Sequence, residues 1–297
     1  MNDKYSTEGL IDLHVHAGPS LAPRSVDAVD MFNDARKAGM KAFCLKEHYM
    51  PTASLATVIN THLRTSEDDP LAYGGVVLNN AVGGFNLTAV DVAFCAGAAF
   101  VCLPTVSAKN HLERHKKRFS GAGDMATPEV PIYCFDENGD IREDLVEIFR
   151  YLGQHDDMLL MTGHISVEEI NAVIPKAFEM GVKRILVNHP HYEIGADITD
   201  MKRWAEMGAY IELNACVFEG ISNKTNVPLS VAAEMIKNIS DELLVLDSDL
   251  GQRHNDPPVV ALRRFIGFLQ DRLGCSTEYL NKISKINPSK LLRKFEK

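Results

Sequence analysis

The chain has 297 residues, 45% of them hydrophobic and 24% charged, with 20 glycines and 13 prolines; these ordinary globular values exclude collagenous, mucin-like and linker-dominated chains. The length suits either two domains or one α/β barrel. A net charge of −9 lacks the basic footprint of non-specific nucleic-acid binding.

Two basic stretches, 111–118 (HLERHKKR) and 282–297, are short and interrupted. Each reads as a solvated face or loop, offset by the acidic run 136–147. None of the 6 cysteines forms a CxxC pair, and a chain this long needs no disulfide staples. Cys44, Cys95 and Cys102 lie in apolar segments and read as buried thiols. Residues 1–9 are polar and no apolar run reaches membrane-spanning length, so the expectation is a cytoplasmic chain with no membrane partner.

Residues 9–16 (GLIDLHVH) set Ile11, Leu13 and Val15 against Asp12, His14 and His16, the period of a strand. Residues 24–38 carry Ala28, Met31, Phe32, Ala35 and Ala38 near one helical face, with Gly39 as a stop. A second strand (41–45) runs into Lys46, Glu47 and His48, and residues 52–64 suit a second helix. Residues 72–78 form a third strand; Asn86 caps a helix that ends near Gly97. The fourth strand (99–103) stops at Pro104. A long irregular excursion, 105–140, follows before a helix at about 141–153.

From there the units tighten. Strand 158–161 ends at Thr162-Gly163-His164, and Ser166 with Glu169 forms a capping box. Strand 184–187 leads into Asn188-His189-Pro190. A helix starting at Thr199, strand 209–213, helix 229–239 and strand 242–246 complete the series, the last ending in Asp247-Ser248-Asp249. C-terminal helices occupy about 259–295. Eight strand–helix units fit a single-domain (β/α)8 TIM barrel, with a doubly wound open sheet as the alternative. Five strand ends carry histidine, lysine or aspartate, and only a closed sheet brings the first and eighth together.

Histidines two apart share a strand face, so His14 and His16 point the same way. Joined by His164, His189 and an aspartate after the eighth strand, they suit zinc, with manganese or iron as alternatives. Asp249 is the preferred carboxylate, with Asp247 beside it. Lys46 and His48 share parity after the second strand. Cys216, just beyond the seventh strand, reads as structural.

DLHVH at 12–16, TGH at 162–164, NHP at 188–190, SD at 248–249 and INPSKLL at 286–292 together resemble the amidohydrolase superfamily, over nearly the whole chain. That resemblance implies one or two divalent metal ions, with His14, His16 and Asp249 as the first ligand set and His164 and His189 as the second. The family's bridging lysine or glutamate on strand four is missing from AFVCLPT. Lys46 is the substitute, as a carbamylated bridge or a substrate-orienting ammonium. His48 is a further ligand, in the manner of the PHP phosphoesterases.

The implied chemistry is hydrolysis by activated water, with Asp249 as proton acceptor and His189 as ligand or electrophile. Arg24, Lys109, His111, His191, Arg253 and His254 are candidates for holding a small polar or anionic substrate at an amide, lactam or lactone bond. Phosphoester hydrolysis, decarboxylation and non-catalytic ligand binding are the alternatives. A homo-oligomer is the default expectation for such an enzyme.

Overall fold

A computed structural model describes residues 5–115, 123 and 125–292. Its strands are β1 (Ile11–Val15), β2 (Ala42–Leu45), β3 (Leu71–Val77), β4 (Phe100–Cys102), β5 (Leu159–Met161), β6 (Ile185–Val187), β7 (Tyr210–Asn214) and β8 (Leu244–Asp247). Each pairs in parallel with the next. The gap between β8 and β1 is closed just beyond the strand ends. There the Asp249 N–H donates to the His14 carbonyl (2.8 Å) and the His16 N–H to the Leu250 carbonyl (2.8 Å). This is a (β/α)8 TIM barrel.

The helices are α1 (Ala28–Lys37), α2 (Ala53–His62), α3 (Leu87–Cys95), α4 (Lys109–Arg114), α5 (Glu143–Gln154), α6 (Val167–Glu179), α7 (Ile198–Glu206), α8 (Leu229–Asn238), α9 (Pro258–Leu273), α10 (Thr277–Asn281) and α11 (Asn287–Leu291). Their apolar faces meet the outward side chains of the strands in one continuous core that includes Phe32, Phe149, Trp204 and Phe265. The smaller group inside the barrel gathers Ile11, Leu13, Cys44, Phe100, Met161, Leu186 and Val245. Leu291 of α11 and Leu292 just after it join this group and close the floor. Asn287 fixes that helix by donating to the carbonyls of Asp241 (2.6 Å) and Leu244 (2.7 Å). The barrel is therefore plugged at one end and open at the C-terminal ends of its strands.

Three local expectations need correction. Helix α1 starts at residue 28, not 24, because the Asp27 carboxylate accepts from the N–H groups of Val29 and Asp30 and the Asp30 carboxylate returns to Asp27. That box leaves Arg24 in the loop after β1. The excursion 105–140 contains α4, docked by the Lys109 N–H on the Ile132 carbonyl at 2.8 Å. Cys44 and Cys102 are buried as expected, but Cys95 is exposed at the end of α3. Residues 116–118 and 293–297 of the two basic stretches lie outside the described residues. No helix among the described residues is long and apolar enough to cross a membrane.

Candidate active site

Strand β1 shifts register against β2 between Asp12 and Val15. The Asp12 carboxylate fills the irregularity by accepting from the N–H groups of His14 (3.2 Å) and Ser248 (3.0 Å). A bulge of this kind re-aims side chains. Leu13 enters the barrel interior, while His14 and His16 both still reach the mouth, so simple alternation does not describe this strand.

Five imidazoles form a closed ring at the mouth. Neighbouring centroids are 5.1 Å apart for His14–His16, 5.0 Å for His16–His48, 6.1 Å for His48–His164, 4.8 Å for His164–His189 and 5.2 Å for His189–His14. Burial holds His14, His16, His48 and His164 well below the usual histidine range and places His189 at about 4. The ring is therefore neutral at pH 7. Asp249 reaches it from beyond β8. His189 (φ 30°) and Asp249 (φ 49°) are the non-glycine residues with left-handed backbone among those described, a strain that is held where the surroundings over-determine it. Gly251 lets this loop pass β1, since a Cβ there would lie 1.6 Å from the His16 carbonyl oxygen.

Proton placement tests whether these residues fit a metal. His14 Nδ1 lies 2.8 Å from Glu212 Oε1, and His16 Nδ1 lies 2.9 Å from the Lys46 carbonyl oxygen. Both partners accept, so both Nδ1 atoms carry the proton and both Nε2 atoms present lone pairs. Those lone pairs meet Asp249 Oδ1 at 3.2 and 3.0 Å. Acceptor facing acceptor is unfavourable without a cation between them. The Lys46 ammonium donates to His14 Nε2 at 2.9 Å, which answers one lone pair and leaves that of His16. His189 Nδ1 is buried without a hydrogen-bond partner. The ligating atoms of His14, His189 and Asp249 lie within 4.8 Å of one another. The donor set fits a divalent ion.

Beneath this set, Glu212 orients three groups at once. It accepts from His14 Nδ1, from Asn188 Nδ2 (2.9 Å) and from the His189 N–H (2.6 Å). Asp247 lies next to it, fully buried, and burial followed by the Glu212 and Asp12 charges drives its carboxyl well above the usual range. Burial likewise raises Asp12 to about 7. Of the two aspartates, Asp249 therefore faces the open pocket and Asp247 lies on the floor. Partners that orient metal-ligating histidines contribute about 10–100-fold in metal affinity. Glu212→Gln should weaken binding of zinc by about that factor in chelator competition; unchanged affinity would mean that Glu212 does not set the His14 tautomer.

The pocket above the ring has a volume of about 340 Å³ and is walled by His16, Arg24, His48, His164, His189 and Asp249. Arg24 and His254 line it as expected. Arg24 donates from Nε to Ser20 Oγ (3.0 Å), but its two Nη atoms are buried without hydrogen-bond partners. Three other candidates lie elsewhere. Lys109 sits 4.1 Å above the Tyr133 ring, Arg253 is exposed outside the pocket, and His191 stacks on Phe218 at 5.3 Å. His111 is buried beside Glu193 (2.7 Å), not on a solvated face.

Sequence reasoning missed Glu212, Glu193 and His115, and read Cys216 as structural only. A lone acid of inward parity within an apolar strand was a usable signal for Glu212. Cys216 donates from Sγ to Asp249 Oδ2 at 3.0 Å, and Asn214 Nδ2 approaches the same oxygen at 3.4 Å. Burial keeps that thiol protonated and thus a donor. Losing one such bond is worth about 1 kcal/mol, so Cys216→Ala should lower kcat about fivefold with little change in KM. An unchanged kcat would remove Cys216 from the positioning of Asp249.

Residues 9–212 match DUF6282, a family of unknown function, and the chain belongs to it. No curated protein matches the sequence. Several solved structures share the barrel. A Pseudomonas putida protein proposed to be a 2-pyrone-4,6-dicarboxylic acid hydrolase is 13% identical, with 95% of this chain and 97% of that one covered and a TM-score of 0.58. For the organophosphorus hydrolase of Deinococcus radiodurans the values are 15%, 96%, 92% and 0.56. For a probable dipeptidase of Pseudomonas aeruginosa they are 9%, 97%, 95% and 0.62. At such identities the likeness establishes the fold.

Proposed function

We propose that this protein is a divalent-metal-dependent hydrolase of small anionic substrates, acting at an amide, lactam or lactone bond. The observation that carries the reading is the His16 Nε2 lone pair facing the Asp249 carboxylate at 3.0 Å with no donor between them, below a pocket that Arg24 enters. The similar barrels described as hydrolases support it.

His14, His16, His189 and Asp249 would hold the ion, zinc best and manganese or iron as alternatives, which supplies Lewis acidity and an acidified water. Asp249 accepts the proton of the attacking water as its oxygen bonds to the carbonyl carbon, and returns it to the departing nitrogen or oxygen. Cys216 and Asn214 fix the carboxylate that performs this transfer. The Lys46 ammonium, 2.9 Å from His14 Nε2, adds positive charge where the oxyanion develops. The Arg24 fork matches a carboxylate bidentately, and Ser20 with Glu47 holds it in place.

The test is a panel of lactones, lactams and N-acyl amino acids, each with and without a free carboxylate, assayed after chelation and zinc return. Zinc-dependent turnover of the anionic members is expected. Turnover confined to phosphoesters, or indifferent to chelation, would overturn the reading. Arg24→Met should cost about 2 kcal/mol toward anionic substrates, roughly 30-fold in kcat/KM, and spare the uncharged analogues. Equal losses on both would deny Arg24 the role of anion clamp.

A further inference from the structure

Outside the barrel-mouth set, one more group of side chains converges. Helix α4, inserted after β4, carries His111, and His115 follows its last residue. Spacing of four residues puts both imidazoles on one side of the helix, with ring centroids 4.4 Å apart. Glu193 reaches them from the turn after β6 and His164 from the end of β5. Glu193 Oε1 lies 2.7 Å from His111 Nδ1, 2.9 Å from His115 Nε2 and 3.6 Å from His164 Nδ1. His164 Nδ1 lies 2.8 Å from His111 Nδ1.

We infer that His111, His115, His164 and Glu193 form a second metal centre, which adjoins the barrel-mouth ring through His164 and suits a divalent first-row transition ion such as zinc. A ring nitrogen carries one proton or one lone pair, so the two short contacts of His111 Nδ1 compete as hydrogen bonds. A cation at the centre serves His111, His164 and Glu193 together, whose ligating atoms lie within 4.8 Å of one another, and His115, 2.9 Å from Glu193, is the fourth donor at its edge. Ligands about 2.1 Å from a tetrahedral ion are separated by about 3.4 Å; the Glu193–His164 separation of 3.6 Å is close to that value, and the three shorter contacts widen by about 0.6 Å to admit the ion. Imidazoles with one carboxylate are the donor chemistry of zinc. Glu193, His115 and His164 also line the active-site pocket, so an ion held there would face the oxygen groups of a bound substrate. The His164 ring stands 4.8 Å from both the His111 and the His189 rings, which makes it the wall between the two centres. The basic segment HLERHKKR thereby acquires a purpose for its two histidines.

This inference does not require the barrel-mouth set to be catalytic. The test uses the full chain, stripped by chelation and titrated with Zn²⁺ or Co²⁺ alone, with metal content per chain and the cobalt absorption spectrum as readouts. The wild type should hold two ions, and Glu193→Gln and His115→Ala should each hold one, with the cobalt bands of one centre lost. His115 stands at the pocket rim, so its variant keeps the test open if Glu193→Gln folds poorly. One ion in the wild type that disappears in His16→Ala, or two ions retained in both variants, would overturn the second centre. One ion kept in His16→Ala but lost in Glu193→Gln would support it and count against the barrel-mouth reading instead.

Discussion

Asp249→Asn is expected to lower kcat by about 10²–10⁴-fold, the contribution of a positioned proton acceptor. Asparagine preserves the volume and can still present an oxygen to His14 and His16, but it removes the charge and the basicity. The carboxylate is the one acid of the β8 end that faces the pocket, while Asp247 is sealed beneath it. The measurement is kcat on the best substrate of the panel, together with metal content of the same preparation. Near-normal turnover with retained metal would move the proton-transfer role away from Asp249.

The second large effect concerns the metal-free protein in mild acid. In the folded chain burial depresses His14, His16, His48 and His164 well below 6.5 and His189 to about 4. In the unfolded chain each titrates at about 6.5. The unfolded state thus binds more protons once the pH drops below that value. The corresponding stability is fully present above about pH 6.5 and is lost as the pH falls toward the folded values. Each histidine costs up to about 1.4 kcal/mol per pH unit in that window, and several together approach the 5–15 kcal/mol typical of a whole domain. Chelator-treated protein should therefore show a steep fall in its urea midpoint between about pH 7 and pH 5, as deprotonated buried histidines demand. Returning zinc should move the fall to lower pH, because protons and metal compete for the same nitrogens. A flat midpoint for the stripped protein would mean that these imidazoles are hydrated or already paired with protons.

Much of the architecture was legible because its signals are local. The Ser166–Glu169 box forms as expected, with Ser166 Oγ accepting from the Glu169 N–H at 3.2 Å and the Glu169 carboxylate from the Ser166 N–H at 2.8 Å. Strand ends with His16, His48, His164 and His189 pointed to one mouth, and the barrel brings them into one ring. Arg24 was assigned to the pocket while its residue was counted as helix; the Asp27 box resolves that conflict by starting α1 later. The readings that failed were of side-chain direction in loops. Lys109 and His191 lie at the right end of the barrel, but Tyr133 and Phe218 decide their directions, which no spacing rule supplies, and Arg253 is exposed outside the pocket.

The 297 residues and their ordinary composition left two domains or one barrel open, and the alternation of short apolar strands with amphipathic helices chose the barrel. The sequence by itself determined that order of elements, the helix caps and the identity of the HxH pair, because each depends on residues a few positions apart. Tertiary structure decided which of the 11 histidines meet, in which protonation state, and against which carboxylate. His14 and Glu212 are 198 positions apart and His16 and Asp249 are 233. Closure of the β8–β1 seam and the bulge in β1 bring them to hydrogen-bonding distance, and burial there makes the imidazoles neutral. A linear pattern encodes neither the closure distance nor the loss of water, and those two quantities turn a set of polar residues into a site.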